Sequence, residues 1–233
     1  MRKQYYSIAI DGPSGAGKST LSERLAKELG FLHVDTGAIY RTVGLAARRR
    51  GIGQGDTKAV AAMLPQLNVE LRYSSDGTQR MLLDGEDVTQ AIRHHEISAW
   101  ASMVSAIPEV RDFLLEMQRK LAREHNVIMD GRDIGTVVLP DADLKIYLTA
   151  QPEDRARRRY LELKERGEPA DEAQTLQDVI ARDRRDMERS VAPLRKAEDA
   201  VTADTTGRNQ EESFQLLLSL VRDHLGELGG GKS

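Results

Sequence analysis

Short apolar runs alternate with amphipathic stretches along most of the chain. The apolar runs have the length of buried strands, and they occupy residues 6–11, 31–35, 126–130, 144–149 and, more weakly, 200–203. Apolar residues recur at helical spacing between them, in three clear sets: Leu21, Leu25 and Leu29; Val110, Leu114, Met117 and Leu121; Leu216, Leu217, Leu220 and Val221. This alternation of strands and helices predicts a parallel sheet covered by helices on both faces.

Helix boundaries are clearest in the first third of the chain. The pattern predicts a helix over residues 18–29 that stops at Gly30, because glycine tolerates the left-handed conformation that ends many helices. A second helix is predicted around residues 39–50.

One segment, at about residues 67–93, interrupts the alternation. Residues 69–73 alternate between apolar and polar, and residues 74–77 and 84–85 have the composition of tight turns. This pattern predicts a small antiparallel insert. Ligands of open α/β sheets bind beyond the carboxyl ends of the strands, so an insert after the second strand is expected to wall a substrate crevice.

Composition and charge narrow the class of protein. The chain has 233 residues, 39% apolar and 30% charged, which suffices for one sizeable α/β core with an appended subdomain. Its net charge of −3 supplies no overall basic field, so we expect binding to neither nucleic acid nor a membrane. The absence of cysteine excludes disulfides and thiolate chemistry. With no apolar run long enough for a signal or membrane segment, a cytoplasmic location is expected.

Residues 12–19 read Gly-Pro-Ser-Gly-Ala-Gly-Lys-Ser, which is a complete G-x-x-x-x-G-K-[ST] motif between a predicted strand and a predicted helix. Such a loop turns its backbone N–H groups toward one anion, and the helix N-terminus adds positive dipole. Lys18 is placed to reach the β- and γ-phosphates, and Ser19 offers a hydroxyl to Mg²⁺. The motif predicts binding of a nucleoside triphosphate.

A second cluster of charged residues, Asp130-Gly131-Arg132-Asp133, directly follows a predicted strand. At the carboxyl end of that strand, Asp130 could contact the metal or its waters, and Arg132 could supply a cation for phosphoryl transfer. A tight Asp-Gly turn without chemical function is the alternative.

A third cluster consists of Arg182, Asp186 and Arg189, which share one helical face. A solvated, salt-bridged helix would show the same spacing. The functional interpretation is favoured because a triphosphate in transfer needs several local cations in a chain of negative net charge. Arg155, Arg157, Arg158 and Arg159 raise the same question, so residues 151–188 are predicted to form a lid that closes over the phosphates and excludes water.

With these clusters assembled, the sequence resembles the bacterial-type cytidylate kinases, which are P-loop nucleoside monophosphate kinases. The resemblance covers nearly the whole chain, and it rests on residues 8–20 (IAIDGPSGAGKST), 35–41 (DTGAIYR), 130–136 (DGRDIGT) and 182–194. It implies an α/β P-loop kinase fold, with a five-stranded parallel sheet flanked by helices, a small antiparallel insert and a helical lid.

The resemblance also implies a domain division. Residues 1–35, 107–150 and 189–225 would form the core, residues 36–106 a monophosphate-binding domain that contains the insert, residues 151–188 the lid, and residues 226–233 a flexible tail.

Site residues follow from the family's motifs. The resemblance implies that Lys18, Arg132 and Arg182 are catalytic. The ATP-binding residues would be Gly12, Pro13, Ser14, Gly15, Ala16, Gly17, Lys18, Ser19, Thr20 and Arg158. The acceptor pocket would be Asp35, Thr36, Arg41, Ser102, Arg111, Arg132, Asp133, Arg182, Asp186 and Arg189. Ser102 and Arg111 come from a less distinctive stretch, where Ser102 has plain helix packing as an alternative.

The implied activity is ATP- and Mg²⁺-dependent phosphorylation of CMP and dCMP by a monomer. A monophosphate acceptor, with a second pKa near 6, is largely dianionic at neutral pH, so transfer needs no general base. Two alternatives remain open at this point: a P-loop kinase for another small substrate, such as UMP or an alcohol, and a nucleotide-driven switch ATPase. The switch is disfavoured because no water-positioning glutamine motif and no basic tail are found.

Overall fold

The computed structural model describes residues 4–226, which form two β-sheets and eight α-helices. The strands are β1 (Ser7–Asp11), β2 (Leu32–Asp35), β3 (Val69–Tyr73), β4 (Gln79–Leu83), β5 (Glu86–Asp87), β6 (Val127–Gly131), β7 (Leu144–Thr149) and β8 (Val201–Asp204). The helices are α1 (Lys18–Leu29), α2 (Thr36–Arg49), α3 (Thr57–Met63), α4 (His95–Val104), α5 (Pro108–Glu124), α6 (Pro152–Glu165), α7 (Glu172–Glu188) and α8 (Gln210–Leu225).

The larger sheet has the strand order β2-β6-β1-β7-β8, and all of its neighbouring pairs are parallel. β1 therefore lies in the centre, so the loop that follows it opens at the middle of the carboxyl edge. β6 pairs with β1 on one side and β2 on the other, which brings residue 130 beside residue 35. The predicted fold class is confirmed.

Each face of this sheet is covered by its own apolar layer. Ile8 and Ile10 pack with α1 and α8, while Ala9 packs on the opposite face against α2, α4 and α5. Successive side chains of a strand point to opposite faces, so the near-continuous apolar runs of the sequence serve both layers.

The antiparallel insert is also confirmed. β3, β4 and β5 form a three-stranded sheet in which Tyr73 lies opposite Gln79, next to the turn at residues 74–78. Val69, Met81 and Leu83 are buried in the same apolar layer as α2, so the insert is attached to the molecule by an apolar core.

Boundaries agree closely with the sequence predictions for α1 and β7, which begin and end at the predicted residues. The lid segment forms α6 and α7, which pack against each other. The domain division and the closing of the lid remain predictions, and the predicted tail from residue 227 onward lies outside the described residues. Among residues 4–226, no helix combines the length and the apolar character needed to cross a membrane.

Candidate active site

The glycine-rich loop connects β1 to α1 at the carboxyl edge of the sheet. A Cβ at Gly12 would lie 1.9 Å from the Leu148 carbonyl oxygen, and φ is +156°, so this first turn of the loop requires glycine. The Lys18 Nζ donates to the carbonyl oxygens of Gly12 and Pro13, at 2.8 Å each. Burial, followed by the charge of Arg132, lowers the pKa of Lys18 well below its ordinary value. A bound anion at this loop would favour the charged form.

The loop forms one wall of a cleft of about 300 Å³. Many of the residues predicted for the two substrates line this cleft: Ser14, Gly15, Gly17, Lys18, Ser19, Thr20, Asp35, Thr36, Arg41, Ser102, Arg132, Asp133, Arg182, Asp186 and Arg189. Gly12, Pro13 and Ala16 belong to the loop without lining the cleft. One cleft therefore brings together residues from all three charged clusters of the sequence.

Asp130 connects the loop to the edge of the sheet. Its Oδ2 accepts a hydrogen bond from the Ser19 Oγ at 2.9 Å, and its Oδ1 lies 2.7 Å from the His33 Nε2. Burial acts to lower the pKa of His33, but the hydrogen bond and charge of Asp130 outweigh it and raise this pKa.

Oxygen donors beside a phosphate loop suit Mg²⁺, which prefers oxygen ligands and is usually held by one or two protein groups together with substrate phosphates. The hydrogen-bonded pair of Ser19 and Asp130 supplies such oxygens. Within residues 4–226, no group of three or more His, Asp or Glu side chains is arranged to hold a metal by itself. The donor set therefore fits a metal ion that arrives with the nucleotide.

Asp35 and Arg41 form an ion pair that lines the cleft. One carboxylate oxygen of Asp35 caps α2 by accepting from the Ala38 N–H at 2.9 Å, and the other accepts from the Arg41 Nη2 at 2.7 Å. A Cβ at Gly37 would lie 3.0 Å from the Asp35 Oδ1 and 3.1 Å from the Arg41 Nη1, so glycine leaves room for this pair. Burial acts to raise the pKa of Asp35, but Arg41 and His33 outweigh it and lower this pKa.

Arg132 and Arg182 both line the cleft, but they differ in how their charges are paired with hydrogen-bond acceptors. The Arg132 Nε donates to the Asp186 Oδ2 at 2.8 Å, whereas the buried Arg182 Nε has no hydrogen-bond partner. Burial, then repulsion by Arg132, lowers the pKa of Arg182 to about 10. An incompletely compensated cation between other arginines is arranged to bind an anion. Because Asp186 is buried, the solvated-helix alternative for this face of α7 is wrong.

Asp133 also lines the cleft, in a network with two arginines. Its carboxylate accepts from Arg111, which lies on α5, and from the Arg189 Nη2, the latter at 3.2 Å. Burial raises the pKa of Asp133 even though both guanidiniums act to lower it. Arg111 does not line the cleft itself, so the structure places it behind Asp133.

Sequence reasoning missed several residues of the site. Ser105 joins the Asp133 network, because its Oγ accepts from the Arg189 Nη1 at 3.1 Å and its carbonyl accepts from Arg111. The turn between α4 and α5 carries no motif that marks this serine.

A second missed contact links the lid segment to the phosphate loop. The Arg155 Nη1 donates to the Ser14 carbonyl at 2.9 Å and to the Asp183 Oδ2 at 2.6 Å, while the Ser14 N–H donates to the Asp183 Oδ1 at 3.2 Å. Only the concentration of arginines near residue 155 signalled this contact in the sequence.

Arg158 lies apart from the cleft. Its guanidinium donates to the Thr205 carbonyl at 2.7 Å and to the Thr205 Oγ1 at 3.2 Å, at the loop between β8 and α8. Arg158 does not line the cleft, and its predicted contact with ATP remains a prediction.

The chain is similar to known proteins over most of its length. A family model described as cytidylate kinase matches residues 8–223. The chain belongs to the cytidylate kinase family. A relative named cytidylate kinase from Caldicellulosiruptor bescii is 52% identical over 214 residues, which cover 92% of this chain and 94% of the relative. Another from Geobacter sulfurreducens is 50% identical, over 93% of this chain and 92% of its own length.

Membership of the cytidylate kinase family makes the chain a kinase, and the cleft is its candidate active site. A solved structure of an uncharacterized protein from Eubacterium ventriosum ATCC 27560 aligns with a TM-score of 0.52 and 12% identity, over 94% of this chain and 99% of that one. At this identity the likeness concerns the fold alone.

Proposed function

We propose that the chain transfers the γ-phosphoryl group of ATP to CMP and dCMP, giving CDP and dCDP. The carrying observation is one cleft with three kinds of groups: a phosphate loop, an incompletely compensated arginine, and a buried carboxylate in a network with two arginines. These groups correspond to a donor triphosphate, a transferring phosphoryl group and the base of an acceptor nucleotide.

The donor would lie on the glycine-rich loop. Its backbone N–H groups and the N-terminus of α1 would bind the phosphates, and Lys18 would turn from its two carbonyl acceptors to the β- and γ-oxygens. Ser19, with Asp130 behind it, would hold Mg²⁺. When bound, this ion supplies charge neutralisation between the β- and γ-phosphates.

The acceptor needs positioning rather than activation. A dianionic monophosphate is already a competent nucleophile, so no residue has to remove a proton. Arg41 would hold its phosphate in line with the γ-phosphorus, while Arg132 and Arg182 would spread the charge of the transferring group. Arg189, which binds Asp133, also belongs to the predicted acceptor pocket, and a contact between its guanidinium and this phosphate remains a prediction.

The base and sugar would lie toward Asp133 and Asp186. Cytosine presents an amino donor where uracil presents a carbonyl acceptor. The Asp133 carboxylate and the Ser102 hydroxyl can accept from that amino group. Arg111 lies behind Asp133 and would act through that carboxylate, and its direct contact with the acceptor edge of the ring remains a prediction. Asp186, which also holds Arg132, would accept from a sugar hydroxyl.

A coupled assay with ATP and a panel of CMP, dCMP, UMP, dUMP and AMP tests this function. We expect CDP or dCDP formation from the first two and far slower turnover of the others. Equal turnover of UMP would assign the site to a broader pyrimidine kinase, and absence of all transfer would leave a nucleotide-binding protein of another class.

Arg182→Met is expected to separate activity from stability. It removes the half-buried cation but keeps an apolar stem, so the melting temperature should stay unchanged or rise, because repulsion from Arg132 disappears. Turnover of CMP should fall at least about 100-fold, since the missing charge acts in the transition state. Steady-state kinetics and thermal unfolding of the same preparation measure both quantities.

Arg185→Met is the matched control, because Arg185 is exposed on the same helix. It should leave both kinetics and melting nearly unchanged. If Arg182→Met lost stability and kept its rate, Arg182 would be a structural residue.

A further inference from the structure

β2 is an edge strand, because only β6 pairs with it. The Leu32 N–H donates toward β6, to the Asn126 carbonyl, so the backbone groups of His33 and Asp35 point to the outer side of the strand. Such groups are normally left to solvent or available to another chain. In this chain, side chains of the insert form hydrogen bonds with these backbone groups of β2.

Two side chains of the insert bind the outer side of β2. The Tyr73 hydroxyl donates to the His33 carbonyl at 2.8 Å. The Gln79 Oε1 accepts from the Asp35 N–H at 2.8 Å, and the Gln79 Nε2 donates to the Asp35 carbonyl at 3.2 Å. Tyr73 and Gln79 lie opposite each other in the β3–β4 pair, so both side chains leave the hairpin on one face. We call these two residues the clasp.

The insert is also attached by apolar side chains outside the clasp. Met81 is 1% exposed and Leu83 is 5% exposed, both within the apolar layer shared with α2. Burial of this apolar surface holds the hairpin in place. The three hydrogen bonds of the clasp, one to His33 and two to Asp35, instead specify where the end of β2 lies relative to the hairpin.

Asp35 transmits that position to Arg41. Its carboxylate caps the first turn of α2 and accepts from the Arg41 Nη2 at 2.7 Å. Gln79 does not line the main cleft; it lines a smaller adjoining cavity of about 90 Å³ together with Asp35 and Arg41. The hydrogen bonds of Gln79 to Asp35 therefore connect it to the main cleft through this pair.

We propose that Gln79, with Tyr73, is a positioning residue for the acceptor phosphate: the clasp holds the backbone of Asp35, and Asp35 holds the Arg41 guanidinium. This inference rests on the proposed function, in which Arg41 binds the monophosphate. It gives the insert a specific task in recognising the acceptor, separate from walling the crevice.

Gln79→Leu is the direct test, because leucine keeps similar bulk and removes both hydrogen bonds to Asp35. We expect the KM for CMP to rise about tenfold, as fits the loss of roughly two net hydrogen bonds, while kcat and the KM for ATP stay within about twofold. Tyr73→Phe removes one bond and should raise the KM for CMP about twofold. Gln90→Leu, at an exposed position of the same insert, is the matched control and should change nothing.

A double-mutant cycle with Arg41→Leu tests the route of the effect. Calorimetry of CMP binding without ATP should show that Gln79→Leu weakens binding about tenfold in the wild-type background but less than twofold in the Arg41→Leu background. Hydrogen exchange of the Asp35 amide should also be faster in Gln79→Leu, because its acceptor is gone.

Several outcomes overturn the proposal. The clasp has no positioning role if the tenfold effect persists in the Arg41→Leu background, or if the KM values for CMP and ATP rise together with a fall in melting temperature. If the unaltered enzyme turns over CMP normally and Gln79→Leu has an unchanged KM for CMP, only the positioning role of the clasp is rejected. Absence of CMP turnover in the unaltered enzyme would remove the proposed function itself.

Discussion

Replacing Lys18 by alanine is expected to lower kcat for CMP phosphorylation by about 10³-fold. The ammonium group would neutralise charge on the β- and γ-phosphates as the phosphoryl group leaves, and no neighbouring cation lies within the loop itself. Steady-state kinetics at saturating ATP and CMP measure this effect, and thermal unfolding measures whether the fold persists.

The structure also predicts the stability of this variant. Lys18→Ala leaves the carbonyl oxygens of Gly12 and Pro13 without their ammonium donor, but it also removes a charge that burial disfavours. These effects oppose each other, so the melting temperature should change little. The exposed Lys27, on the same helix, provides the control variant Lys27→Ala, which should keep full activity. A Lys18→Ala enzyme with near-normal turnover would exclude the proposed role of the loop.

Selection of cytosine is the second effect of large expected size. The unaltered enzyme should prefer CMP and dCMP over UMP by up to about 10⁴-fold in kcat/KM, because UMP would direct a carbonyl lone pair at the Asp133 carboxylate inside a buried site. Asp133→Asn should lower kcat/KM for CMP about 100-fold and erase much of the preference, since the amide can donate to the uracil carbonyl. Kinetics with both nucleotides measure the ratio.

Asparagine tests base recognition at this position more specifically than alanine does. Asp133 is the shared acceptor of Arg111 and Arg189, so alanine would leave two buried guanidiniums without their partner and would disturb the fold as well as the base. Asp112→Asn, an exposed carboxylate on α5, is the matched control and should leave the preference intact. A variant at Asp133 that kept both its rate and its preference for CMP would move base recognition to other residues.

Asp133 shows how tertiary contacts change the interpretation of a sequence motif. In the sequence, Asp133 is the last residue of a four-residue cluster after a strand. In the structure it is the centre of a network drawn from α5, from the turn after α4 and from the end of α7. The interaction of Asp133 with the base remains a prediction. Its strength would depend on Arg111 and Arg189, which share the Asp133 carboxylate.

The sequence by itself determined the five strands of the larger sheet, most of the helices around it and the phosphate loop. These features depend on local periodicity, on glycines at fixed spacing and on the alternation of strand and helix, all of which are visible within windows of about 20 residues. The antiparallel insert was predictable for the same reason, because residues 69–73 alternate with period two and residues 84–85 form a turn.

Only the tertiary structure decided how the polar groups are paired. Residues 155 and 183 both bind Ser14 from more than 100 positions away, and Gln79 binds the backbone of Asp35 from a separate sheet. Arg182 differs from Arg184 and Arg185 on the same helix in having a buried Nε without a partner, although the three look alike in the sequence. Pairing of this kind depends on which side chains the packed elements bring within about 3 Å, and no local pattern records that distance.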